Sequence, residues 1–123
     1  MLADTSVLID FFRKTDKSNA YLLELVRNEL TFCISAITEF EIYTGATESQ
    51  YPYWNEFLKK TQVLPFDKPV VKVAVDISKS LKRKRKQIDM ADLFIAATAL
   101  SANLPLATLN RKHFERVDNL NLI

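Results

Sequence analysis

Apolar residues repeat along the chain with a period that changes from segment to segment. Val70, Val73, Ala74, Ile77 and Leu81 recur every three or four positions, which predicts an amphipathic helix. The same spacing predicts further helices at 5–12, 18–30, 35–44, 51–60 and 91–102. Compact apolar runs predict short strands at 1–3, 30–34, 63–65 and 104–107, and 117–123 is a candidate edge strand. Because strands alternate with helices, the pattern favours an α/β domain with a largely parallel sheet.

Small polar residues mark where the predicted helices begin. Thr5 or Ser6 can cap the first helix, and Ser35 is an N-cap candidate for the helix that follows the second strand. That helix ends near Gly45, which is the only glycine of the 123 residues. A chain so poor in glycine favours helices and short loops over a hairpin-rich β fold.

Acidic and amide side chains follow the predicted strands. Asp4 comes directly after the first strand, Glu41 lies on the helix after the second, Asp92 opens the central helix, and Asn110 follows the fourth strand. In parallel α/β folds the ligand site lies beyond the carboxyl ends of the strands, so these four positions can converge. Crowded carboxylates repel one another, and Mg²⁺ relieves that repulsion while it orients water against a phosphate.

Each of these acids also has an ordinary structural explanation. An Asp after a strand is often a turn or capping residue. Glu39 and Glu41 lie two positions apart on a helix and face different sides, so one of them is expected to be solvated. Asp89 and Asp92 share a helix face, and either can serve as an N-cap favoured by the helix dipole. No single acid is convincing without a pattern that links them.

Composition limits the class of protein. Apolar residues make up 48% and charged residues 26%, which is typical of a globular domain, and the net charge is only +2. The lone cysteine, Cys33, cannot form an intramolecular disulfide and fits a reducing cytoplasm. Residues 1–9 lack the features of a signal peptide, and no apolar stretch is long enough to span a bilayer, so a cytoplasmic protein with no membrane contact is expected.

Positive charge is concentrated at the end of the 70–81 helix. The run from Lys82 to Lys86 contains Lys84 and Arg85. It is either a binding surface for RNA phosphates or a solvated helix C-terminus. Arg111 is placed to reach a substrate phosphate. His113, the only histidine, is expected to be structural or at the surface. Most aromatic residues of 11–57 are expected in the core, and some can line a groove for a partner.

Four segments, taken in order, resemble the PIN-domain family and specifically the VapC-type toxins of toxin–antitoxin pairs. They are DTSVLID (4–10), ISAITEFEIYTGA (34–46), IDMADLFIAATAL (88–100) and TLNRKHFERV (108–117). The resemblance covers nearly the whole chain. It implies one PIN-like domain over 1–123, with three α/β/α layers around a short, mostly parallel sheet of four or five strands.

The resemblance also implies an activity, a Mg²⁺- or Mn²⁺-dependent endoribonuclease. It assigns the metal-binding and catalytic acids to Asp4, Glu41 and Asp92, which leaves Glu39 as the solvated neighbour. Asn110 falls at the fourth ligand position, where a neutral side chain weakens the case for a second tightly bound metal, and Asp89 is a candidate outer-shell ligand. The hydroxyl residues that would support the first aspartate or the substrate are Thr5, Ser6 and Thr108.

The expected partners are RNA, a cognate VapB-type antitoxin and a second copy of the chain in a homodimer. In the family a short antitoxin binds across an apolar groove and directs its tail toward the active site, often with an Arg.

Two alternatives stay open at this point. A phosphoacceptor receiver domain is also α/β, but it needs an acidic pair near its first strand and an Asp after the third. Asp67 is the only Asp near that strand, and no acidic pair precedes it. The second alternative is a degenerate PIN fold that only binds RNA or a protein, which Asn110 leaves possible.

Overall fold

Short strands alternate with longer helices throughout the computed structural model, which describes residues 1–28 and 31–123. The strands are β1 (Leu2–Ala3), β2 (Ile34–Ser35), β3 (Val63–Leu64) and β4 (Leu106–Ala107). The helices are α1 (Thr5–Arg13), α2 (Tyr21–Arg27), α3 (Ala36–Gly45), α4 (Tyr51–Lys59), α5 (Lys68–Lys84), α6 (Met90–Ser101) and α7 (Arg111–Phe114), with 3₁₀ turns at Lys17–Asn19 and Glu48–Gln50. The helix end and strand start predicted at Leu30 lie outside the described residues.

Every strand pairing in the described part of the chain is parallel. β1 pairs with β4, and β2 pairs with β3. A bridge between Leu2 and Cys33 joins the two pairs, which gives the order β3-β2-β1-β4. The predicted edge strand at 117–123 is reduced to one bridge, between Leu106 and Leu122. The expected parallel sheet of four or five strands is therefore confirmed, although each strand is only two residues long.

Neighbouring strand residues belong to two separate hydrophobic clusters. Leu2 and Leu106 pack with residues of α5 and α6. Ala3 and Ala107 pack with residues of α1 to α4. Because successive side chains of a strand point to opposite faces of the sheet, the two clusters are the two sides of the sheet. This arrangement is the three-layer α/β/α fold.

The N-cap of the first helix lies earlier in the chain than predicted. Asp4 has extended backbone angles, and its side chain accepts a hydrogen bond from the Thr5 backbone N–H, so Asp4 and not Thr5 or Ser6 is the N-cap of α1. The Ser35 cap of α3 is confirmed, since its hydroxyl accepts from the Thr38 backbone N–H. Both caps place a polar side chain at the carboxyl end of a strand.

Strand order also fixes where a ligand can bind. The chain builds the sheet outward from β1 through β2 to β3 and then returns to place β4 on the other side of β1. The crevice at such a reversal is where open α/β sheets bind ligands. Asp4 and Thr108 come directly after the two strands that flank this crevice.

No helix in the described ranges has the length and apolar character needed to cross a membrane.

Candidate active site

A cleft of about 700 Å³ opens at the carboxyl ends of β1 and β4. Four of its lining side chains are Asp4, Glu41, Asp92 and Asn110. These residues belong to four separate segments of the sequence, and the fold brings all of them to one cavity. The remaining lining residues are Thr5, Ser6, Ile9, Asp10, Arg13, Lys14 and Leu109.

Asp4 is buried at the bottom of this cleft, with a relative exposure of 2%. Its Oδ1 accepts the Thr5 backbone N–H at 2.8 Å. Its Oδ2 accepts the Ser6 and Thr108 hydroxyls, each at 2.8 Å. Those hydroxyl oxygens in turn accept the backbone N–H groups of Leu109, at 3.1 Å, and Asn110, at 2.9 Å. The network fixes the carboxylate in one orientation and compensates the cost of burying its charge.

Glu41 is held by the first turn of α1. The Thr5 hydroxyl lies 2.7 Å from Glu41 Oε1 and 3.0 Å from Thr38 Oγ1. Glu41 therefore faces the cleft, whereas Glu39 is not among the cleft-lining residues and is partly buried rather than solvated. The expected choice of Glu41 over Glu39 as the residue facing the site agrees with this geometry.

Asp92 lies in the first turn of α6 and contacts α7. Its Oδ2 is 3.0 Å from His113 Nδ1, and the side chain of Asp92 is 17% exposed. Burial raises the pKa of the Asp92 carboxyl, the hydrogen bond with His113 opposes that shift, and the charges of Asp4 and Asp89 add to it. Asp92 is thus a crowded carboxylate with a single side-chain partner.

Two other predicted ligands differ in position. Asn110 occupies the N-cap position of α7 without a side-chain capping bond, and it lines the cleft. Asp89 is the corresponding residue of α6, is exposed, and does not line the cleft. The charge of Asp89 contributes to the raised pKa of the Asp92 carboxyl.

The cationic residues singled out in the sequence lie outside the cleft. Lys84 pairs with Asp118 Oδ1 at 2.6 Å, and Arg85 ends α5 in a left-handed conformation with a φ of 56°. Arg111 is exposed on α7 and is not a cleft-lining residue. The basic run does lie at the end of α5 that leads into α6, because only residues 85–89 separate the two helices.

Sequence reasoning missed two features of the site. Arg13 and Lys14, at the end of α1, contribute the cations of the cleft. His113 is about half exposed, as expected, but it contacts an acid of the cleft. Part of the Arg13 signal was available, since Asp10 and Arg13 lie three positions apart and share a helix face. The His113 contact depends on α7, a helix too short to show a periodic pattern.

The donor set of the cleft suits a hard divalent cation. Its carboxylate and amide oxygens are the ligands that Mg²⁺ and similar ions prefer. Within 1–28 and 31–123, however, no three His, Cys, Asp or Glu side chains are grouped closely enough to enclose a metal. Thr5 holds Glu41 and His113 holds Asp92, so these side chains are directed by protein partners. The residues fit a cation whose coordination shell is completed by waters and substrate oxygens, rather than one enclosed by protein ligands alone.

Comparison with known proteins agrees with this fold. The sequence profile of the PIN domain matches residues 1–120. Ribonuclease VapC1 of Methanocaldococcus jannaschii is 38% identical over 99% of this chain and 84% of its own length. Ribonuclease VapC2 of Haemophilus influenzae is 31% identical over 94% of this chain and 90% of its own. A crystal structure of VapBC2 from Rickettsia felis, bound to a DNA fragment from its promoter, matches with a TM-score of 0.87 and 26% identity over 99% of this chain and 96% of that one.

The chain belongs to the PIN-domain family, as a member of its VapC ribonucleases. Ribonucleases of this type depend on a divalent metal. The family match favours the PIN fold over the receiver domain.

Proposed function

We propose that this protein is the endoribonuclease toxin of a toxin–antitoxin pair and that it hydrolyses RNA phosphodiester bonds with Mg²⁺ or Mn²⁺ in the cytoplasm. The observation that carries the proposal is the convergence of Asp4, Glu41, Asp92 and Asn110 on one cleft at the β1/β4 reversal. The likeness to curated VapC ribonucleases over nearly the full chain supports the same activity.

The acids of the cleft would hold the cation. Asp4, Glu41 and Asp92 are the proposed ligands and catalytic residues, with Asn110 as a weaker ligand. Asp89 is proposed only as an outer electrostatic contributor, because it does not line the cleft. When bound, the cation lowers the pKa of water and neutralises charge that develops on the phosphate.

The protein side chains prepare this site before substrate arrives. Ser6 and Thr108 orient Asp4, and Thr5 orients Glu41, so the carboxylates need little rearrangement when the cation binds. Both oxygens of Asp4 accept hydrogen bonds, which hold its carboxylate in one orientation. The roles proposed for Thr5, Ser6 and Thr108 are therefore to position carboxylates rather than to bind RNA.

An RNA cleavage assay tests the activity. The wild-type chain is expected to cleave RNA with Mg²⁺ or Mn²⁺ and to lose activity with EDTA. Asp4→Asn should reduce cleavage by more than about 100-fold, because it removes a ligand charge from the centre of the site. The fold should be retained, since the amide can still accept the Thr5 N–H and the neighbouring hydroxyls can rotate to accept from it.

Asp76→Asn is the matched control. Asp76 is an exposed aspartate on α5, away from the cleft, so its amide variant should cleave like the wild type. Metal-independent cleavage, or full activity of Asp4→Asn, would contradict the proposal. Binding of RNA without any metal-dependent cleavage would favour the alternative, a PIN fold that only binds.

The proposed protein partner is a VapB-type antitoxin. Several structures similar to this chain are of VapBC proteins, including one from Salmonella typhimurium bound to DNA that matches with a TM-score of 0.87 and 25% identity. A small gene beside this one that encodes a DNA-binding protein should yield a product that co-purifies with the chain and inhibits its ribonuclease activity. The homodimer is proposed on the same likeness, and sedimentation of the purified chain measures it.

A further inference from the structure

The charges that line the cleft are unequal. Four carboxylates, from Asp4, Asp10, Glu41 and Asp92, face two cationic side chains, from Arg13 and Lys14. A divalent cation would offset this excess at one point, but each RNA phosphate brings a further negative charge. A strand that passes through the cleft therefore needs a protein cation for the phosphates beside the one that reacts.

The two cations of the cleft differ in what they already contact. Lys14 pairs with Asp10 of the same helix at 3.5 Å. Arg13 is exposed and forms no salt bridge with any carboxylate in the described ranges. A guanidinium presents a planar set of donors that can form two hydrogen bonds with one phosphate. Arg13 is therefore better suited than Lys14 to bind an RNA phosphate.

Arg13 also lies where the cleft continues into a second groove. This groove, of about 270 Å³, shares Ile9, Arg13 and Glu41 with the cleft. It extends past Gly45, at the end of α3, where a Cβ would meet no atom within 4 Å outside its chain neighbours and the backbone of its own helix. The φ of Gly45 is not positive, so the glycine is not required by its backbone conformation. The open space gives an extended chain a path that leads directly past Arg13.

We propose that Arg13 binds an RNA phosphate next to the scissile one, on the side where the strand leaves the cleft along the groove beside Gly45. The inference rests on the proposed ribonuclease function and names a substrate-binding residue of that same site. A purely structural role must be considered beside it, because a cation in the last turn of a helix is favoured by the helix dipole. The two roles differ in what they affect: the dipole acts on stability, whereas a phosphate contact acts on RNA affinity.

Binding without cleavage separates these roles. The Asp4→Asn chain in EDTA is titrated into a labelled, single-stranded RNA of mixed sequence, and anisotropy is measured over a series of salt concentrations. Adding Arg13→Ala should weaken binding about fivefold to tenfold and lower the log–log salt slope by about 1. Arg13→Lys should recover part of the affinity, because it keeps the charge but loses the two-point contact.

Arg27→Ala is the matched control. Arg27 is also an exposed arginine in the last turn of a helix, α2, but it does not line the cleft. It should change neither the affinity nor the salt slope. In the active chain with Mg²⁺, Arg13→Ala should raise KM with little change in kcat, as expected for lost substrate binding.

The outcomes keep the two proposals apart. If the wild-type chain cleaves RNA and Arg13→Ala binds RNA with unchanged affinity and salt slope, the inference is wrong and the ribonuclease function stands. If Arg27→Ala weakens binding as much as Arg13→Ala, the effect is one of net charge and the inference is also wrong. If the wild-type chain fails to cleave RNA with either metal, the ribonuclease function itself is wrong.

Discussion

The cleft has two walls, which hold their acids in different ways. The sheet wall carries Asp4, at the carboxyl end of β1, and the helix wall carries Asp92, in the first turn of α6. On the sheet side, Asp4 is 2% exposed and accepts three hydrogen bonds, two from the first turn of α1 and one from Thr108 after β4. On the helix side, Asp92 is 17% exposed and has one side-chain partner, His113, which is itself about half exposed. The same chemical group is therefore fixed by the core on one wall and by a surface contact on the other.

The difference shows where the site is rigid. The partners of Asp4 lie on segments whose backbones are joined by the β1–β4 pairing, and Asp4 N–H donates directly to the Ala107 carbonyl at 2.9 Å. His113 belongs to α7, a helix of four residues that follows a loop. A change in the Asp4 wall should thus disturb both stability and chemistry, whereas a change in the Asp92 wall should mainly affect cation binding.

Thr108→Val should have the largest effect among substitutions that leave the acids in place. It removes a donor from buried Asp4 and the acceptor of the Asn110 N–H while it nearly keeps the volume. We expect a loss of about 1–3 kcal/mol in the free energy of unfolding and about a 10- to 100-fold loss of cleavage. Chemical denaturation and the RNA assay measure the two effects. A stable chain with wild-type activity would mean that Ser6 and Thr5 suffice to hold Asp4.

His113→Ala should have an intermediate effect. Removing the partner of Asp92 should weaken Mn²⁺ binding by about tenfold, measured by calorimetry or by the electron paramagnetic resonance signal of free Mn²⁺. The free energy of unfolding should stay almost unchanged because His113 is at the surface. His113→Asn should recover part of the affinity, since an amide can donate near the position of Nδ1. Lys112→Ala is the control on the same helix. Equal Mn²⁺ affinity of His113→Ala and the wild type would show that Asp92 is positioned without α7.

Asp89→Asn should have the smallest effect. Its carboxylate is exposed and acts on Asp92 only through its charge, which water screens. Cleavage and Mn²⁺ affinity should stay within about threefold of the wild type. A loss as large as that of His113→Ala would mean that Asp89 moves into the cleft when the cation binds, and the contrast between the two walls would then need revision.

Much of the fold and part of the site could be predicted from the sequence. The amphipathic repeat of α5 and the apolar character of α6 are local patterns, so the predicted bounds of both helices are close to the observed ones. The position of Asp4 after β1 and the Ser35 cap are equally local. The predicted cap of α1 was wrong because Asp, Thr and Ser are all favourable N-cap residues. Only the structure, in which Asp4 has extended backbone angles, identifies Asp4 as the cap.

The sequence by itself determined which residues lie at the carboxyl ends of the strands. The order of strands and helices can be predicted from local periodicity alone, and the residues that follow each strand can then be listed. Only the tertiary structure decided which of them share a wall and what holds them. Thr108 reaches Asp4 across 104 positions through the pairing of Ala3 with Ala107, and a slip of one residue would turn its side chain to the other face of the sheet. The contact of His113 with Asp92 and the position of Arg13 in the lining of the cleft likewise depend on how helices pack around the sheet. Contacts between distant segments are set by register and packing, which no local pattern of the chain encodes.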